Sequence, residues 1–411
     1  MSHPKRNGYS RTLIINAVSS KAGGGLNDLA QTIRPLLRVL PAEGLAAQVF
    51  VVDEGAKVLN AVECEGAKIV TVPAESPLAR ARWEWRDLPR IVRREKPEAV
   101  FHFSNFIFRD LPVPQVTVLR SPTFFSGEYA RMQRRGIYQK LRYRLGGYYS
   151  RKTIERGAAV FCISETHRRQ IVESVGPVAE KVRVAHLGVS VPPQALQLRG
   201  LSRNELLAQL PPEPAERLKV LLTDRSKVLV NVAHYYSHKN LGTLLKAVDE
   251  LSRNDPTIGL ILTAGITSYG GPQNEQTRRE RTLAKDLQSR GVLVDLGPVT
   301  KEWVWVLLAM GDLFVFPSAL ESFGHPLLEA MGMGIPVVAA DTEIHREICG
   351  DAAEFHAVFD PASLASAVRC VLDEPQRAAR LVRLGEQNVE RFSWQTHVEL
   401  LAEAIRELVR N

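Results

Sequence analysis

The sequence predicts two doubly wound α/β domains, on three observations. Short apolar segments alternate with helical ones twice over; a proline-rich stretch separates the two series; and 411 residues exceed what one core usually holds. In the first series, strands are expected at 12–18, 47–53, 67–72, 99–104, 115–119, 158–163 and 182–187. Each is short, rich in Val, Ile or Phe, and lacks strict polar alternation, as strands covered on both faces do. Residues 26–40 read as a helix in which Pro35 is a local inconsistency. The second series has strands at 228–233, 258–264, 292–296, 312–316 and 335–340. Helices fall near 240–252, 274–290, 301–310, 326–333 and 375–391. Two proline clusters in "VSVPPQALQLRGLSRNELLAQLPPEPAERL" (189–218) place the boundary there, giving domains 1–190 and 191–392. The tail opens with Ser393, a good N-cap, and spaces Val398, Leu401, Ile405 and Leu408 as one helical face. That helix, 393–411, is expected to pack back on the first domain.

Composition narrows the class. Hydrophobic content of 45% and charged content of 24% are those of a globular protein. No run approaches the ~20 apolar residues of a membrane-spanning helix. The start carries no apolar leader with a cleavage site, and Cys64, Cys162, Cys349 and Cys370 lack C-x-x-C spacing. A cytoplasmic protein without disulfide framework or zinc site is the expectation. The net charge of +8 is uneven: residues 1–200 carry +14 and the remainder −6. The densest patch, 131–156, holds nine basic residues, one acid and four tyrosines. It reads either as a solvated helix face or as a surface for anionic lipid or a phosphorylated acceptor. No nucleic-acid-binding module accompanies it.

The stretch "ESFGHPLLE" (321–329) follows the strand 312–316 and carries two carboxylates eight residues apart. Pro326 suits the first turn of a helix, which sets Ser322, Phe323, Gly324 and His325 at its N-terminus, where the dipole favours an anion. Gly324 lets a phosphate approach the backbone. Glu329, one turn inside, is placed to accept a ribose diol, and Glu321 to accept hydroxyls of a sugar ring. Alone, the pair would read as a capping acid and a solvated helix acid.

The run from about 312 to 350, including "EIHREICGDAAEF", resembles glycosyltransferase family 4, whose hallmark is E-x7-E on a GT-B fold. "VLVNVAHYYSHKNLGTLLKAV" (228–248) is similar to the family's first strand and loop of the second domain. There Lys239 matches the lysine of a basic pair that reaches the donor diphosphate, and His234 stands where the arginine is usual. Gly297, Pro298 and Val299 match the loop that meets the nucleobase. The "SSKAGGG" loop, with Gly24 and Gly25, borders the transfer site in the family. After the strand 115–119 many members carry a histidine at the reaction centre; this chain has Arg120, read as a phosphate or acidic-acceptor contact or as a structural ion pair. His102 ends another strand and reads as a core histidine or a site residue.

The resemblance implies a retaining, metal-independent hexosyltransferase with two Rossmann-like domains facing each other across a cleft. Glu321, Lys239 and Arg120 would be catalytic. Gly24, Gly25, His234, Val299, Ser322, Phe323, Gly324, His325, Leu327 and Glu329 would bind the donor. No D-x-D occurs, so neither a metal nor another cofactor is expected beside the nucleoside diphosphate sugar. The setting implied is surface polysaccharide, lipopolysaccharide or lipid-linked glycan assembly, on a glycan or lipid-linked acceptor, with peripheral contact to the inner face of the plasma membrane through 131–156. A GT-B-like epimerase or phosphorylase is the nearest rival. A dehydrogenase is more distant, because Asp53 ends the second strand but G-x-G-x-x-G is missing.

Overall fold

The computed structural model describes residues 11–21, 24–59, 66–126, 137–268 and 274–410. The chain divides into two compact units, one of residues 1–188 with 392–411 and one of residues 189–391. The first holds a seven-stranded sheet: β1 (Arg11–Asn16), β2 (Leu45–Val51), β3 (Ala67–Thr71), β4 (Ala99–His102), β5 (Gln115–Leu119), β6 (Ala159–Cys162) and β7 (Arg183–Val184), in the order 3-2-1-4-5-6-7. The second holds β8 (Lys227–Asn231), β9 (Ile258–Leu262), β10 (Leu293–Asp295), β11 (Leu313–Phe316), β12 (Val337–Ala340) and β13 (Glu354–His356), in the order 10-9-8-11-12-13. All pairs are parallel. In each sheet the order reverses between the first and fourth strands, opening a crevice at their carboxyl ends where such folds bind ligands.

Burial follows the sequence pattern. Every residue of β4, β5, β6, β9, β11 and β12 is buried, as expected for strands with helices on both faces. β13 was not expected: its only apolar side chain is Phe355, and as an edge strand it needs no continuous apolar run. The segment 189–218, where the boundary was expected, opens the second unit. Pro193 and Pro212 each begin a helix, Pro193–Leu196 and Pro212–Asp224, where a missing N–H costs nothing. Pro35 lies inside the helix Gly24–Val39, which continues through it for four residues.

The last helix, Trp394–Arg410, completes the first unit. Its buried face of Val398, Leu401 and Ile405 packs against the helix Gly24–Val39, and His397 Nδ1 lies 3.1 Å from Ala185 O. Trp394 presses so closely on Gly188 that a Cβ there would fall 2.1 Å from its backbone nitrogen. Only glycine permits this approach. Among the described residues, no helix is long and apolar enough to cross a membrane.

Candidate functional site: a lysine–glutamate pair at the second switch point

The loops leaving β8 and β11 are tied together before any side-chain charge is considered. Asn231 ends β8 and donates to Val315 O at 2.8 Å. Beyond it, the exposed His234 and Tyr236 lead into a turn, Ser237–Lys239. Their rings are 6.2 Å apart, and Tyr236 stacks on His238 at 5.6 Å. Asn240, at φ 53°, closes the turn and donates to Pro317 O at 3.1 Å. His238 O accepts the Ala319 N–H at 2.8 Å and the Ser318 hydroxyl at 3.2 Å.

This stitching sets Lys239 Nζ 2.6 Å from Glu321 Oε1, with side chains 15% and 11% exposed. Burial acts to raise the Glu321 carboxyl, but the Lys239 charge and hydrogen bonds from Lys239 and Ser318 outweigh it and hold the group below its ordinary range. Glu321 is therefore ionised at neutral pH. Lys239 Nζ also lies 5.4 Å from the Phe316 ring, and the wholly buried His345 packs on that same ring at 5.4 Å. His345 Nδ1 is 2.8 Å from Ala340 O, and burial lowers its pKa, so it is neutral.

Glu329 has a partner that sequence reasoning missed. Lys301, the first residue of the helix Lys301–Met310, forms an ion pair with its carboxylate and lies 4.4 Å over the Trp305 ring. Nothing local betrays this pair, because its members are 28 residues apart. Gly324, at φ 103°, heads the helix His325–Gly332 in a backbone state that L residues rarely adopt. Phe323 and Leu327 are buried in the core, so only their backbone is available to a ligand. Ser322, His325 and Val299 are half-buried. Asp295, also missed, ends β10 and accepts from Gly265 N at 2.8 Å, Ile266 N at 2.6 Å and Gly297 N at 3.1 Å, fixing the loops after β9 and β10. Its signal was legible: a carboxylate at a strand end before a glycine.

In the first unit, Gly24 and Gly25 begin a helix, and a Cβ at either would meet nothing within 4 Å. A requirement for glycine there would come from a ligand alone. Arg120, just after β5, is paired to Asp28 at 3.6 Å, the structural ion pair that the sequence left open. His102 is buried at the end of β4 and belongs to a polar network. Its Nε2 lies 3.0 Å from Gln115 Oε1 and its Nδ1 3.3 Å from Asn16 Nδ2; Asn16 Nδ2 also donates to both oxygens of Glu84 at 3.2 Å. Trp83 Nε1 donates to Asn16 Oδ1 at 3.0 Å. Glu84 sits in a π-helical turn, Trp83–Asp87, a distortion often found at functional sites. Burial pushes its carboxyl up to about 7, against the Arg80 charge and the Asn16 hydrogen bonds. Burial also pushes His102 down to about 4.

Two Rossmann-like sheets, with a Lys–Glu pair and a glycine-headed helix at the second switch point, define the GT-B class. The chain belongs to glycosyltransferase family 4: the model described as "Glycosyltransferase Family 4" matches residues 29–191, and that described as "Glycosyl transferases group 1" matches 213–388. A D-inositol 3-phosphate glycosyltransferase of Salinispora tropica is 29% identical over 201 residues, 47% of this chain and 41% of that protein. The chain thus aligns with about two-fifths of the length of such curated relatives. The structure of Anabaena HepE in complex with UDP-glucose superposes with a TM-score of 0.67 at 18% identity, covering 95% of this chain and 98% of that one. WaaG, a glycosyltransferase involved in lipopolysaccharide biosynthesis, does so with a TM-score of 0.67 at 17% identity, covering 96% and 99%.

The Lys239–Glu321 geometry carries an energetic expectation. Lys239→Met strands a buried carboxylate and should cost about 3 kcal/mol of stability, whereas Lys239→Met with Glu321→Gln should recover most of that loss. Urea unfolding of the four members of the cycle measures both; additive losses would contradict the pairing. Glu84 gives a second expectation. Its folded pKa of about 7 lies above the ordinary carboxyl value, so it lowers stability as pH rises from about 4.5 to 7. His102, with a folded pKa of about 4, does the reverse, losing stability as pH falls from about 6.5 to 4. Glu84→Gln should therefore raise stability at pH 8 by about 2–3 kcal/mol and steepen the acid-side loss between pH 6.5 and 4.5. Thermal unfolding across pH reads both effects.

Proposed function

We propose that the protein is a retaining glycosyltransferase that moves a hexose from a nucleoside diphosphate sugar to an acceptor hydroxyl. The observation that carries this reading is the Lys239–Glu321 pair at the carboxyl ends of β8 and β11, beside the glycine-headed helix that bears Glu329. In the free protein the two charges satisfy each other. With donor bound, Lys239 and the helix N-terminus neutralise the diphosphate as it leaves. His234, in the arginine's usual place, is exposed and on the same loop, open to a second phosphate contact. Glu321, freed from sole pairing, accepts hydroxyls of the sugar, and Glu329, steadied by Lys301, accepts the ribose diol.

The bond from the anomeric carbon to the diphosphate oxygen breaks with its electron pair left on that oxygen. The acceptor oxygen bonds to the anomeric carbon on the same face, and its proton passes to the departing phosphate oxygen. No protein base is needed, and lysine with helix dipole does the charge stabilisation without a metal. The complex of HepE with UDP-glucose supports a nucleotide-sugar donor, and the WaaG likeness supports surface-glycan or lipid-linked glycan synthesis as the setting.

Part of the basic patch adds a peripheral membrane contact at the inner leaflet. On the helix Ile137–Arg156, Leu141, Leu145 and Tyr148 lie at i, i+4 and i+7 and are 51–55% exposed, with Arg142, Arg144, Arg151 and Lys152 on the same helix. An apolar stripe on a basic helix suits an anionic lipid surface. Residues 131–136 of the patch lie outside the described residues.

Two experiments test the reading. Incubation with UDP-, GDP-, ADP- and dTDP-sugars, with and without glycan acceptor, should release nucleoside diphosphate and yield a retained glycoside in excess chelator. Glu329→Gln should weaken nucleoside diphosphate binding by about 1–3 kcal/mol. Acceptor-independent epimerisation, or turnover that needs magnesium, would refute it. For the membrane contact, sedimentation with anionic vesicles should bind the protein at low salt and release it as salt rises, each basic residue contributing about 1 kcal/mol. Charge reversal at Arg142, Arg144 and Arg151 should abolish this binding and leave turnover of a soluble acceptor intact.

A further inference from the structure

We propose that the Lys301–Glu329 pair makes the donor site select ribonucleoside over 2′-deoxyribonucleoside diphosphates, with Lys301 as its positioning residue. The inference rests on the donor reading above and narrows the donor to a ribonucleoside diphosphate sugar. Lys301 stands where its own helix disfavours a cation. It is the first residue of Lys301–Met310, at the positive end of the dipole. Glu302, next along, is engaged with its own backbone N–H and the Thr300 side chain, which hold its carboxyl below the ordinary range. The groups that hold Lys301 lie elsewhere. Its Nζ sits 4.4 Å over the buried ring of Trp305, one turn on, and pairs with Oε1 of Glu329 on another helix.

Of the two partners, the acid is the buried one: the Glu329 side chain is 11% exposed and that of Lys301 45%. Among the described residues, Lys301 is the one polar partner of this carboxylate. Oε1 is therefore occupied, and Oε2 keeps its lone pairs for a ligand. Lys301 also ends the stretch 297–300, matched above to the nucleobase loop, whose start is tied to Asp295 through the Gly297 N–H at 3.1 Å. The segment that would meet the base thus leads directly into the residue that fixes the ribose acid.

A ribose diol brings two O–H donors to this acceptor. A 2′-deoxyribose brings one and sets a C–H where the other should be. A site built to hydrogen-bond a hydroxyl rejects the analogue that lacks it, because a buried polar atom is left unpaired. Rejection works only if the acceptor cannot turn away to water. Lys301 supplies that constraint, since holding Oε1 leaves Oε2 one place to be. Without the lysine the carboxylate can rotate toward solvent. The diol then loses an ordered acceptor, and a deoxyribose no longer strands one.

Calorimetric titration of the full chain with UDP, GDP and ADP, each beside its 2′-deoxy form, tests this with base and phosphates held constant. Whichever ribonucleotide binds should do so at least about tenfold more tightly than its own 2′-deoxy counterpart. Lys301→Met, which keeps a chain over Trp305 but no charge, should cut that preference to about threefold or less. The loss should come from the ribonucleotide, with the deoxy form held within about twofold. Lys301→Arg restores the charge and should restore the preference, whereas a merely structural defect would weaken both forms alike. Should Lys301→Met fold poorly, Lys301→Gln carries the same expectation. Lys239→Met, which acts on the diphosphate, should weaken both forms equally and leave their ratio unchanged. Equal binding of the two forms by the wild-type protein, or a preference undiminished without the Lys301 charge, would overturn the proposal. Weakening of both forms in Lys239→Met would then leave the donor reading standing. Should none of these nucleotides bind the wild-type protein, the donor reading falls and this inference with it.

Discussion

A carboxylate as secluded as that of Glu321 must be matched by a cation held at one distance, and much of the second unit serves that requirement. Its backbone is fixed by the loop after β11, which hangs from His238 O by two hydrogen bonds. Lys239 is held by Asn240, whose left-handed backbone and bond to Pro317 O leave the preceding turn one direction to take. Beneath both, Phe316 and the neutral His345 form an apolar floor. The pair is mostly buried, so the attraction between its members is stronger than at the surface. A ligand that replaces either partner has to offer as much charge in return.

The two sheets repeat one topology but use their switch points differently. In the second, each acid faces a lysine, Glu321 with Lys239 and Glu329 with Lys301, so the charges are balanced before any ligand arrives. In the first, Arg120 is paired to Asp28, and burial pushes the Glu84 carboxyl up to about 7 within the polar network of Asn16, His102 and Trp83.

How far the sequence could be read depended on whether an interaction is local. Strands buried on both faces announced themselves as apolar runs, and β5 and the helix 301–310 fall at the residues expected. β13 escaped because an edge strand of Glu354, Phe355 and His356 lacks such a run. At 189–218 the prolines also start helices, which the sequence did not show, since a break and a beginning look alike without the fold. At the site, the spacing of Glu321, Gly324 and Glu329 was legible, for a strand end and a helix start generate it. Lys301 and Glu84 were not, because their partners are delivered only by tertiary packing.

The final helix bears on how the chain is made. Residues 394–410 pack against the helix Gly24–Val39 and seat Trp394 against Gly188, so the first unit lacks part of its core until that helix has been made. The second unit, residues 189–391, is complete before that point. At about 5–20 residues per second, the roughly 200 residues between Gly188 and Trp394 take roughly 10–40 s to make. The first unit therefore emerges from the ribosome before the second and closes its core after it.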